Sequence, residues 1–132
     1  MPVQFPSPEW VSQLQTEINR SPAYASSAKT WEGDFYFVVE PGDGLTETVS
    51  VYIDLWRGEC RTAYIVGDAS EKKPEFVISG SIETYRKIFA KKLDPIQSLM
   101  SRQLKLQGNM AKIMRATKAT LDLVNCAAAA GA

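Results

Sequence analysis

The sequence predicts an α+β fold, a mostly antiparallel five-stranded sheet with helices packed on one face. Three observations carry this. Strand patterns cluster between Asp34 and Gly80, with helical patterns before and after them rather than alternating one for one. Val49, Val51, Ile53 and Leu55 alternate with Ser50, Tyr52, Asp54 and Trp56, as in a sheet covered on one side and largely open on the other. The segment from Lys92 to Met114 then sets two helix starts around one short alternating strand, Leu104 to Gln107.

Each element follows from local signals. Ser7-Pro8-Glu9 opens a first helix whose Trp10, Leu14 and Ile18 form an i, i+4, i+8 stripe. Ser21-Pro22 caps a shorter second helix that ends near Trp31-Glu32-Gly33. Asp34 to Glu40 is the first strand, Pro41 to Gly44 its turn, and Val49 to Trp56 the second strand. Arg57-Gly58-Glu59 turns into a third strand, Cys60 to Val66. A charged loop from Asp68 to Lys73 leads to a fourth, Glu75 to Ser79. Ser81 caps a helix over residues 82–92 with Ile82, Tyr85, Ile88 and Phe89 inward. Asp94-Pro95 starts a short helix reaching about Arg102, since a proline at the first helical position lacks only an N–H the helix could not use. Gly108 ends the fifth strand, and Asn109 caps a last helix with Met110, Ile113, Met114, Thr117, Leu121 and Val124 on one side.

At 132 residues the chain makes one domain, drawn over 1–126 with an Ala/Gly-rich tail over 127–132. The zero net charge hides an asymmetry. Residues 1–80 carry 6 Lys/Arg against 12 Asp/Glu, and residues 81–132 carry 9 against 3. The basic half suits phosphate, an anionic membrane or an acidic partner, or is simply a set of solvated helix faces. Cys60 and Cys126 make neither a disulfide framework nor a zinc site and suggest free thiols in a reducing cytoplasm. No secretory leader or membrane span is read from the sequence.

Chemistry is sparse. The chain has no histidine, which removes the commonest general base, metal ligand and triad member. Asp34, Asp54 and Glu59 sit in or beside strands, where carboxylates are mostly solvated. A pI near 6.3 argues against nucleic acid despite Tyr52 and Trp56. No enzyme activity, cofactor or metal is expected. Met100, Met110 and Met114, three of four methionines, share the Lys92–Met114 segment. Their flexible thioethers serve either irregular core packing or a ligand of variable shape.

Residues 74–114 resemble the signature region of the sterol carrier protein 2 domain family. The matching pieces are Lys92-Leu93-Asp94-Pro95, Leu104-Lys105-Leu106 and Gly108-Asn109-Met110. The family shows a glycine where Lys91 stands, and a Gly-Lys pair where Arg102-Gln103 stand. The resemblance implies a hydrophobic tunnel between sheet and helices that takes fatty acids, fatty acyl-CoA, phospholipids or sterols without catalysis. Burying a 16-carbon chain at ~0.8 kcal/mol per methylene is worth roughly 12 kcal/mol gross, so directional contacts are not required.

On that reading Val51, Ile53, Leu55, Phe89, Leu99, Met100, Leu104, Leu106, Met110, Ile113 and Met114 line the tunnel, although each fits core packing equally well. Arg86, Lys87, Lys91, Lys92 and Arg102 meet a headgroup or anionic membrane at its mouth. The protein is then a cytoplasmic lipid-binding monomer or dimer. The rival reading keeps the fold with a closed core, as a dimerisation or docking module for a lipid-metabolising enzyme. An exposed Tyr52 and Trp56 pair would serve it.

Overall fold

Five side-chain caps start the helices where the sequence puts them. The computed structural model describes residues 5–42, 45–67 and 73–130. Ser7 Oγ accepts from the Trp10 N–H (3.1 Å) and opens α1 (Pro8–Arg20). Ser21 Oγ accepts from the Tyr24 N–H (3.1 Å) and opens α2 (Pro22–Ser27). Ser81, Asp94 and Asn109 do the same for α3 (Ile82–Phe89), α4 (Pro95–Met100) and α5 (Met110–Arg115). Each bond satisfies an N–H that the first turn cannot pair internally.

The strands are β1 (Glu32–Glu40), β2 (Val49–Trp56), β3 (Glu59–Val66), β4 (Phe76–Ser81) and β5 (Lys105–Gln107), in the sheet order β3-β2-β1-β4-β5. Three neighbouring pairs are antiparallel and β1–β4 is parallel. The register sets Val51 beside Phe37 and Ile53 beside Phe35, so one apolar face runs across the central strands. Arg57 (φ 50°) and Gly58 (φ 86°) both take left-handed backbone in the two-residue β2–β3 turn. The β2–β3 register shifts between Asp54 and Leu55. There the backbone of Cys60 turns to α1: its N–H donates to Asn19 Oδ1 (2.8 Å), and its carbonyl accepts from Gln15 and Asn19 (both 3.1 Å). A bulge is tolerated because α1 supplies the partners that the ladder loses.

Four differences from the sequence expectation have physical causes. The helix expected over 82–92 stops at Phe89, where the N–H of Lys92 reaches the Lys87 carbonyl (2.8 Å) and that of Lys91 reaches Ile88 (3.0 Å). This is a Schellman closure, and it needs left-handed backbone at Lys91 (φ 63°). Arg102 (φ 65°) plays the same part after α4. Both are positions where the sequence resemblance leads one to expect glycine. The last helix is two helices, α5 and α6 (Thr117–Ala129), broken at Ala116 (φ −108°, ψ 34°). Thr117 Oγ1 donates to the Met114 carbonyl (2.7 Å), a local bond that competes with the helical ladder. Finally, α6 runs beyond the boundary drawn at residue 126, with Ala127 and Ala130 buried. The expected loop over 68–73 and the turn at Asp43-Gly44 lie mostly outside the described residues.

Candidate ligand-binding site

A cavity of about 100 Å³ lies between the inner sheet face and the helices. Its floor is Phe35, Phe37 and Val39 of β1, Val51, Ile53 and Leu55 of β2, and Ile78 of β4. The helices contribute Trp10 and Leu14, Tyr24, then Tyr85, Ile88 and Phe89, then Pro95 and Leu99, and Ile113 of α5. From the last helix come Ala119, Thr120, Leu123, Val124 and Ala127; Phe5, Trp31, Leu104 and Ala116 complete the wall. Among the described residues no charged side chain touches this space. Two of the five residues that α6 turns toward the space are alanines, Ala119 and Ala127, beside Thr120, Leu123 and Val124.

Aromatic clusters contribute to the wall at two places. Phe5 packs edge-on to Trp10 (4.6 Å between ring centres) and to Phe89 (5.1 Å). Elsewhere Trp31, Phe35 and Phe76 stack at 5.0–5.7 Å. Lys112 seals that second cluster from outside. Its Nζ lies 4.9 Å above the Trp31 ring, donates to the Glu32 carbonyl (2.6 Å) and pairs with Glu75 (2.8 Å). Polar atoms on the wall are mostly engaged. Tyr85 Oη donates to the Ile78 carbonyl (2.9 Å), Trp31 Nε1 to Gly33 (3.1 Å) and Thr120 Oγ1 to Ala116 (3.0 Å). Burial pushes the Tyr85 and Tyr24 hydroxyls well above the usual phenol range, so both stay neutral.

Seven of the eleven expected lining residues reach this wall: Val51, Ile53, Leu55, Phe89, Leu99, Leu104 and Ile113. Gly80 makes room for Leu104, since a Cβ there would sit 2.6 Å from Leu104 Cδ2. Four do not. Met100, at the last position of α4, is 61% exposed because α4 buries Pro95, Ile96 and Leu99 instead. Met114 is 38% exposed and Met110 and Leu106 are half-buried, packed on the rim of the core. Met114 lies on α5, which buries Ile113 instead, and the break at Ala116 that follows moves the inward face of α6 by one position, about 100°. Ala116, Ala119, Thr120 and Leu123 turn in, and Leu121 turns out to 40% exposure.

Alternation in β1 and the Trp10, Leu14, Ile18 stripe were signals for much of the remaining wall. The alanines of α6 gave none. Arg86, Lys87, Lys91, Lys92 and Arg102 are all exposed, on α3, its closing turn and the turn after α4. The same two helices present Phe89 and Leu99 to the cavity.

The remaining reactive groups are engaged elsewhere. Asp34 accepts from Tyr52 Oη (2.9 Å) and from the Glu75 N–H (2.7 Å), while Asp54 pairs with Arg61 (3.0 Å). Burial pushes the Cys60 thiol up to about 12 and raises that of Cys126. No metal-holding group of His, Cys, Asp and Glu occurs among the described residues. Tyr52 corrects the expected exposed pair: it is buried against Tyr36 and Tyr64, leaving Trp56 at 37% exposure under Arg61.

Residues 11–120 match the SCP-2 sterol transfer family. Among solved structures, a sterol carrier protein 2 crystal structure is 30% identical, with 95% of this chain and 98% of that chain covered and a TM-score of 0.83. A conserved hypothetical protein of Thermus thermophilus, described as a candidate sterol carrier protein, is also 30% identical, covering 98% and 91% with a TM-score of 0.86. Sterol carrier protein 2 of Yarrowia lipolytica (17% identity, 89% and 88% covered, TM-score 0.62) shares the fold. Comparison with curated protein sequences found no significant match.

Proposed function

This chain belongs to the SCP-2 sterol transfer family, and from that premise we propose that it binds a lipid in the cavity above its sheet and carries it without chemical change. The observation that supports this is the wall itself, apolar across the β1–β2 floor and the α6 face and, among the described residues, free of charged side chains. Hydrocarbon needs no directional partner, so such a site selects on shape and accepts several acyl or ring skeletons.

Size adds a condition. An apolar void of about 150 Å³ holds one benzene ring, and this one is about 100 Å³. A short apolar segment fits as the cavity stands; a long acyl chain requires the helix layer to move outward. Arg86, Lys87, Lys91, Lys92 and Arg102 would meet the phosphate or carboxylate of a lipid whose tail enters between α3 and α4, or the anionic membrane that delivers it. The two buried thiols are in keeping with a reducing cytoplasm.

The test is Ala119→Leu, which puts three further carbons into the cavity. Uptake of fatty acid, followed by native mass spectrometry and by extraction of the purified protein, is expected to vanish, with the melting temperature unchanged or raised. Unchanged uptake would sink this reading. Reversing three of the five basic residues is expected to leave uptake intact and to weaken binding to anionic vesicles, most at low salt.

A further inference from the structure

Among the described residues Met100 is the most exposed large apolar side chain, at 61%. Its helix, α4, buries Pro95, Ile96, Ser98 and Leu99, which leaves Gln97 and Met100 three positions apart on the outer side. The chain continues from Met100 into Ser101, Arg102 and Gln103, all exposed. Arg102 holds left-handed backbone (φ 65°), as Lys91 does after α3 (φ 63°). That conformation costs a residue with a side chain more than it costs glycine, and at both turns the residue that bears the cost is a cation.

The charges around α4 are of one sign. Lys87, Lys91, Lys92, Arg102, Lys105 and Arg115 make no ion pair among the described residues. The carboxylates of residues 81–132 are engaged elsewhere. Asp94 accepts from the Ile96 and Gln97 N–H groups, Asp122 takes Lys118 and Ser27, and Glu83 lies against Gly42. An anionic partner therefore meets cations and one bare thioether on this side of the molecule.

We infer that the outer side of α4 is the surface on which this protein settles on an anionic bilayer, with Met100 entering the boundary between headgroups and acyl chains and Lys91 and Arg102 meeting lipid phosphates. This rests on the lipid-binding reading above and gives it an orientation. The bilayer that supplies the lipid lies against the helix whose Leu99 lines the cavity. A bilayer offers both things this surface asks for, fixed negative charge and a fluid apolar layer that accepts a flexible side chain in any rotamer. An acidic protein surface offers the charge alone.

The experiment is flotation with vesicles of phosphatidylserine and phosphatidylcholine, set beside fatty acid uptake by the same samples. An environment-sensitive dye on Met100→Cys is expected to shift to the blue on these vesicles and to stay unchanged on phosphatidylcholine alone. The same dye on Glu59→Cys, at the start of β3, is expected to stay unchanged on both; the two native thiols are buried. Met100→Ser is expected to weaken vesicle binding about fivefold. Lys91→Gly combined with Arg102→Gly is expected to weaken it about twentyfold at low salt while raising the melting temperature, a pairing that damage to the fold would not produce. A dye at position 100 that remains in water would overturn the surface. So would a double glycine variant that floats as the native chain does, and one that loses fatty acid uptake instead would assign the two cations to a single lipid headgroup. Vesicle binding as expected, with no fatty acid taken up by the native chain, would overturn the lipid-binding reading and not the surface.

Discussion

The two faces of the same sheet end up opposite in character. Inside, Phe35, Phe37, Val39, Val51, Ile53 and Leu55 stand under a helix that offers alanines, and space is left. Outside, Tyr36, Tyr52 and Val66 form a buried cluster of strand residues with Tyr64 packed against it, the Tyr52 ring 5.9 Å from that of Tyr36 and 5.4 Å from that of Tyr64. Asp34 and Asp54 stand opposite each other in the ladder, and the first is relieved by Tyr52, the second by Arg61. Polar aromatic side chains close a face by lying across it and bonding within it. Aliphatic side chains close one only if something of the right size comes down on top. On the proposed reading, function belongs to the face that is left unfilled.

Removing Phe76 should break the inner face most. It is fully buried and stacks on both Trp31 and Phe35, so Phe76→Ala is expected to cost about 3–5 kcal/mol in a denaturant titration. A loss below about 1 kcal/mol would mean that the aromatic stack is not structural. Raising the pH is the next lever, and it touches both faces. Cys60 (pushed up to about 12), Tyr85 and Tyr52 all hold their protons longer folded than unfolded, the first two through burial and Tyr52 through burial and then its bond to Asp34. Their contribution is complete below the unfolded thiol and phenol pKa values, about 9–10, and is lost as the pH climbs toward the folded values. Unfolding free energy is expected to change little between pH 6 and 8, where no histidine titrates, and to fall above pH 9. Tyr52→Phe should flatten part of that fall while leaving lipid uptake alone; a change in uptake would mean the two faces are coupled. The smallest effect is expected at the Schellman turn. Lys91→Gly relieves left-handed backbone and should stabilise by about 0.5–1 kcal/mol.

The inner floor was legible in the sequence because strand alternation has a period of two that no later packing alters. Val51, Ile53 and Leu55 could be placed from β2 alone. The roof was not. Met110, Ile113, Met114, Thr117, Leu121 and Val124 fit one straight helix, yet with Thr117 bonding back to Met114 and the turn at Ala116 only Ile113 and Val124 of that stripe reach the wall, beside Ala116, Ala119, Thr120, Leu123 and Ala127. Met100 failed for a related reason: a six-residue helix has too few turns for its sequence to say which side it buries.

The sequence by itself determined the α+β order, the five helix caps and the sorting of the strand faces. Each of these depends on atoms within a few residues of one another: a side-chain oxygen reaching an N–H two or three positions on, or a pleat reversing direction at every residue. Tertiary structure alone decided that a cavity exists, that Met100 is left exposed, and that Tyr52 is covered. Those depend on how far apart two surfaces settle when both are packed against everything else. That distance is a property of the whole chain and of no single stretch in it.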